Sequence, residues 1–82
     1  MRVIAELPHP EFKISIFSMN SKFIVKIERG ILEQTYKLAE MDLTDGVNSV
    51  FEILDEDFLK TVAARFSEMG KDFREAYSRY NY

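Results

Sequence analysis

The sequence predicts an α+β domain: an antiparallel meander sheet of three to four strands, followed by two C-terminal helices packed on one face. Three observations predict it. Apolar residues alternate with a period of two from about residue 11 to residue 38, the mark of half-buried strands. Two short turn segments, Asn20-Ser21 and Arg29-Gly30, interrupt that alternation. From Asp42 onward the apolar spacing changes to three and four, which is helical.

The first strand spans about Arg2–Leu7 and stops at Pro8-His9-Pro10. Each proline fixes its own φ, lacks an N–H and pushes the residue before it toward extended geometry. The second strand spans about Glu11–Met19, with Phe12, Ile14 and Ile16 against Lys13, Ser15 and Phe17. The third spans about Lys22–Glu28, with Phe23, Val25 and Ile27 on one parity. The fourth spans about Ile31–Leu38, with Leu32, Tyr36 and Leu38 on one parity and Glu33, Thr35 and Lys37 on the other.

These parities test the pairing. A two-residue turn at Asn20-Ser21 sets Met19 opposite Lys22, Ile16 opposite Val25 and Ile14 opposite Ile27. A two-residue turn at Arg29-Gly30 sets Glu28 opposite Ile31, Ile27 opposite Leu32 and Phe23 opposite Tyr36. Both turns gather the strongly apolar residues on one face, as a half-buried sheet requires. Gly30 supplies the positive φ that tight hairpin turns need. Gln34 is the polar exception on that face, which calls for an edge position or a hydrogen-bond partner.

A short helix is expected over residues 43–54, from Val47, Val50, Phe51 and Leu54, with Thr44 or Asp45 as its cap. A long helix is expected over 56–80, capped by Asp55, with Glu56 and Asp57 complementing its dipole. Its stripe runs Phe58, Val62, Phe66, Met69, Phe73, Tyr77 and Tyr80. Such a helix is about 37 Å long, whereas an eight-residue strand is about 26 Å. Its last turns must overhang the sheet or bend at Gly70, a poor helix former. If they overhang, the distal aromatics need something to pack on.

Size and composition narrow the function classes. Eighty-two residues make one domain over 1–82, with residues 1–40 as the sheet. A chain this short buries only about 60–65% of its unfolded surface and needs reinforcement. With no cysteine and one histidine, disulfides and thiolate metal sites are excluded, which leaves oligomerisation as the accessible reinforcement. No apolar run reaches the roughly 18 residues of a membrane span, and no signal-like leader is legible, so a cytoplasmic protein is expected. The formal net charge is −3. Residues 1–41 carry six basic and five acidic side chains, and residues 42–82 five basic and nine acidic. A mildly acidic chain is repelled on average by nucleic acid.

Candidate chemistry is sparse. The acidic run Asp42, Asp45, Glu52, Asp55, Glu56 and Asp57 lacks the regular offsets of a cation loop and reads as caps and helix-start acids. His9, between two prolines, reads as a turn residue, since no spacing gives it an orienting partner and a nucleophile. The outer sheet face carries Lys13, Lys22, Lys26 and Lys37 beside Phe17 and Ile24, the ingredients of a single-strand nucleic-acid platform. The pairing above sets Lys13 opposite Glu28 and Lys26 opposite Glu33, which disfavours nucleic acid as a partner. No residue set forms a catalytic, cofactor or metal signature, so no cofactor is expected and the balance falls against an enzyme.

The stretches LPHPEFKISIFSMNSKFIVKIERGILEQTYKL and DGVNSVFEILDEDFL resemble a small family of single-domain bacterial proteins of about this length, to which no function is assigned. The resemblance covers nearly the whole chain and implies a compact stand-alone domain, with no functional residues to transfer.

The reading that follows is a non-enzymatic protein-interaction or structural module that self-associates as a homodimer. It would join through the C-terminal helix, the outer sheet face or a sheet edge. The candidate interface residues are Phe17, Ile24, Phe73, Tyr77, Tyr80 and Tyr82. The first two form an apolar neighbourhood on the solvent side, and tyrosine is enriched where proteins meet. The alternative is a small-ligand- or nucleic-acid-binding domain that uses the outer sheet face.

Overall fold

A computed structural model of the chain describes residues 1–81, so Tyr82 lies outside the described residues. Strands β1 (Arg2–Leu7), β2 (Lys13–Met19), β3 (Lys22–Arg29) and β4 (Leu32–Ala39) form one antiparallel sheet in chain order. A 3-10 turn, Glu40–Asp42, leads to helix α1 (Gly46–Ile53) and then to helix α2 (Glu56–Tyr80). The core joins one sheet face to both helices: Phe12, Ile14, Ile16, Phe23, Val25 and Ile27 pack with Val50, Leu54, Val62 and Phe66. The α+β meander expected from the alternation is therefore the fold.

The β2–β3 hairpin has the expected register, with Met19 opposite Lys22, Ile16 opposite Val25 and Ile14 opposite Ile27. Asn20 and Ser21 both take positive φ, 49° and 61°. That pair of left-handed residues matches the right-handed twist of the strands it joins.

The β3–β4 register differs from the one expected. Arg29 pairs with Leu32, Glu28 with Glu33, Ile27 with Gln34, Val25 with Tyr36 and Phe23 with Leu38. The turn residues are thus Gly30 and Ile31 rather than Arg29 and Gly30. The cause is turn chemistry. Gly30 has φ 60° and Ile31 is not in the left-handed region, which puts the glycine first of the two central residues, where a type II′ turn places it. Because the shift moves each partner by two residues, every side chain keeps its face, and the apolar pattern alone does not distinguish the two registers.

Charge pairing changes with the register. Lys26 stands opposite Thr35, not Glu33, and Glu28 faces Glu33 directly. Lys26 resolves that like-charge contact by reaching both carboxylates, with Nζ 3.4 Å from Glu28 and 3.5 Å from Glu33. The hydrogen bond to Glu28, then the charge of Glu33, hold the ammonium above the usual lysine pKa.

α1 begins later than expected, because Glu40–Asp42 forms its own short turn, tied to the β2–β3 hairpin by the Glu40 N–H to Ser21 carbonyl bond of 3.0 Å. Asp45 sits at the N-cap of α1 without a side-chain capping bond. Its own N–H donates to Ser49 Oγ at 2.9 Å. Asp55 caps α2 as expected, accepting from the Phe58 N–H at 2.8 Å.

Gln34 is the polar member of the apolar face, and its partners are now explicit. Its Nε2 donates to the Val62 carbonyl of α2 at 3.1 Å, and its Oε1 accepts from the Tyr36 hydroxyl at 2.7 Å. Along β4, Tyr36 meets Phe58 edge-on at 5.4 Å, Gln34 meets Val62, and Leu32 lies against Gly70. α2 therefore runs antiparallel to β4 and leaves the sheet at the Gly30-Ile31 turn.

The length mismatch is settled as an overhang. α2 is 25 residues long and passes through Gly70 without a break, and residues 71–80 are all exposed. The molecule measures 50 × 26 × 20 Å with a radius of gyration of 14.9 Å. A compact chain of this length has a radius of gyration of about 12 Å. The excess is the unsupported helix.

A β-carbon on Gly70 would meet Arg74 Nη1 at 3.1 Å and Leu32 Cδ1 at 3.6 Å. The first contact is the movable end of a long side chain and the second is ordinary packing. Gly70→Ala is therefore expected to stabilise the fold by about 0.5–1 kcal/mol through helix propensity. A urea midpoint that rises at fixed chain concentration would agree with this. A fall would mean that the Arg74 side chain cannot yield.

Candidate interaction surface

The stripe that holds α2 to the sheet does not stop where the sheet does. Val62 and Phe66 are buried and Met69 is half-buried, and the same face continues through Phe73, Tyr77 and Tyr80. These three are 53%, 59% and 83% exposed. Helical spacing keeps them on the sheet-facing side, so they project beyond the end of the sheet, over open space, rather than outward from the body.

Ile31 belongs to the same surface. It sits at the tip of the β3–β4 hairpin and is 83% exposed. The helix departs beside it, since Gly70 packs on the adjacent Leu32. The alternation alone places Ile31 at the start of the fourth strand. The signal that finds it is the preference of glycine for the first position of a type II′ turn, which pushes the next residue into the loop.

The six residues proposed from sequence do not form one site. Phe73, Tyr77 and Tyr80 lie together on the overhang, and Tyr82 falls outside the described residues. Phe17 and Ile24 pair across β2 and β3 on the opposite sheet face. There Ile24 is buried, at 7% exposure, and Phe17 is half-buried. A continuing row of side chains, from Val3 opposite Phe17 to Lys37 opposite Ile24, shields them. That face offers little free apolar surface for a partner. Its lysines are interleaved with Glu6, Glu28 and Glu33, and Lys26 is held by two of these.

His9 is built into the turn between β1 and β2. Its Nδ1 accepts the Glu11 N–H at 3.0 Å, and its ring stacks on Phe12 at 4.6 Å. Glu11, Glu56, Lys60 and Leu59 line a shallow groove beside it. Neither carboxylate there hydrogen-bonds the imidazole. The ring nitrogen that an orienting carboxylate would engage is used by the backbone, so the geometry serves the turn.

The acidic run is spread over the 3-10 turn, the caps and the first turn of α2. Among the described residues no group of three acidic or histidine side chains is placed to hold a metal ion, and no buried side-chain nitrogen or oxygen lacks a partner. None of the described helices is long and apolar enough to cross a membrane. Compared with family models, with curated proteins and with solved structures, the chain finds no match in any of the three.

Proposed function

We propose that this chain is a non-enzymatic interaction module that self-associates as a homodimer through the overhanging half of α2. The observation that carries the reading is the continuous stripe whose first half is core and whose second half, Phe73, Tyr77 and Tyr80, is exposed. A helix about 15 Å longer than its support gains nothing in the monomer from three aromatics on its inner side. An exposed patch of about 400–500 Å² per chain, estimated from the area aromatics bury, is as large as the largest apolar patch of a typical monomer, which is often a functional surface. Paired with itself, it buries on the order of 1,000 Å², the lower bound of a specific interface.

A second copy is favoured over the other surfaces considered. The outer sheet face has its apolar pair already shielded. The β1 edge is bulged between Val3 and Ala5 and followed by Pro8, two devices that discourage strand addition. The absence of cysteine fits a reducing compartment, and the cytoplasm is accordingly part of the proposal.

Light scattering on the full chain at micromolar concentration is expected to give the mass of two chains. Phe73→Asp and Tyr77→Asp should each reduce it to one chain while leaving the far-ultraviolet circular dichroism unchanged, since both positions are exposed. A one-chain mass for the natural sequence at that concentration would end the proposal. A salt-sensitive shift of an oligonucleotide would favour the outer-face alternative instead.

A further inference from the structure

We infer that the second copy packs antiparallel on the overhang, about a two-fold axis that crosses α2 between Glu75 and Ala76. The inference rests on the self-association proposed above and adds its geometry. At 100° per residue, Met69, Phe73, Ala76, Tyr77 and Tyr80 fall within one arc of about 100° on α2. Asp72 and Arg79 both border that arc on the same side. They are two turns apart, about 10 Å along the axis.

A two-fold axis perpendicular to a pair of antiparallel helices brings the same flank of each helix together. A flank that carries one acid and one base is then self-complementary about the midpoint between them. For Asp72 and Arg79 that midpoint lies between Glu75 and Ala76. Asp72 meets the partner's Arg79, and Arg79 meets the partner's Asp72. Neither side chain has an ion-pair partner within the chain among the described residues, and both are exposed. Parallel pairing would set this flank against the opposite one, which carries Gly70, Arg74 and Tyr77; the partner's Arg74 could meet Asp72, but Arg79 would face no carboxylate.

The apolar layers fit a crossing one residue away, between Arg74 and Glu75, an offset of about 1.5 Å along the axis. Phe73 then lies against the partner's Ala76, a large side chain against a small one, and Met69 against the partner's Tyr80. That brings the partner's helix end to the place where α2 leaves the sheet, beside the exposed Ile31. Arg74 lies on the other flank, where a like charge would come near the axis. Its guanidinium folds back over Gly70, away from the crossing. Two L-shaped chains interlock in this way, each overhang filling the space beyond the other's sheet.

The test is a charge reversal measured by sedimentation of the full chain at low salt. Asp72→Arg and Arg79→Asp each place like charges at both symmetric contacts, and each is expected to weaken the dimer about tenfold or more. The double variant D72R/R79D restores opposite charges and should return to within about threefold of the natural chain. A dimer unchanged by the single variants, or not restored by the double, overturns the antiparallel crossing and leaves self-association standing. Masses that climb beyond two chains overturn it also, because they indicate head-to-tail contacts that do not close. A one-chain mass for the natural sequence fails the earlier reading and this one with it.

Discussion

Phe66→Ala is expected to remove about 3–5 kcal/mol of stability, the range for truncating a buried aromatic. A domain of this length has about 4–12 kcal/mol in total, so the variant loses a quarter or more of its stability and, at the lower end of that range, unfolds in dilute buffer. Phe66 is 2% exposed and is the largest of the fully buried side chains. Its ring meets Phe12 at 5.5 Å, and Phe12 in turn carries the stacked His9. One truncation therefore opens a cavity between α2 and the sheet and unseats the Pro8-His9-Pro10 turn. Urea unfolding followed by near-ultraviolet circular dichroism measures the first effect, and the His9 ring-proton shifts report the second. Phe66→Leu, which keeps most of the volume, should cost much less and remain folded. A loss under about 1.5 kcal/mol for the alanine variant would lie below the range for such truncations and would contradict the packing described here.

The second large effect concerns Gln34. Gln34→Ala is expected to cost about 2–3 kcal/mol, because it leaves a cavity under α2 and removes two hydrogen bonds at once. Gln34→Leu keeps the volume and should stay within about 1 kcal/mol of the natural chain. The Val62 carbonyl retains its own helical partner. The Tyr36 hydroxyl belongs to a residue 39% exposed and can turn to water. Parallel urea titrations of the two variants decide the point. Equal losses would mean that the hydrogen bonds, rather than the volume, hold the helix. Among the described residues the amide is the one side-chain hydrogen bond between β4 and the middle of α2, and it sets how far along the sheet the helix lies. Chemical shifts around Val62 in the leucine variant would show whether the helix slides once that link is gone.

Much of this was legible from residue patterns. Alternation over residues 11–38 located the strands, the change of spacing after Asp42 located the helices, and Asp55 announced the cap that it forms. The β2–β3 pairing expected from the strand parities and a two-residue turn at Asn20-Ser21 is the one formed, with both turn residues at positive φ. The β3–β4 pairing was missed by two residues. An even shift keeps every side chain on its face, so the apolar pattern carries no information about it. Only the place of Gly30 within the turn separates the two registers. Lys26 loses its place directly opposite Glu33 for the same reason, yet its long side chain still reaches that carboxylate diagonally.

The candidate surface divides in the same way. The stripe from Phe58 to Tyr80 and its excess length are properties of one helix and can be counted along the chain. Whether Phe17 and Ile24 are exposed cannot, because that depends on what neighbouring strands place beside them; Val3 and Lys37 come from the two ends of the sheet. The sequence by itself determined the elements, the apolar face, the helix cap and the overlong helix, because each rests on contacts within one segment or on local periodicity. The tertiary structure alone decided the turn register, the partners of Gln34, the burial of Ile24 and the point at which α2 leaves its sheet beside Ile31. Each of these is a meeting of side chains far apart in the chain, and local spacing does not encode it.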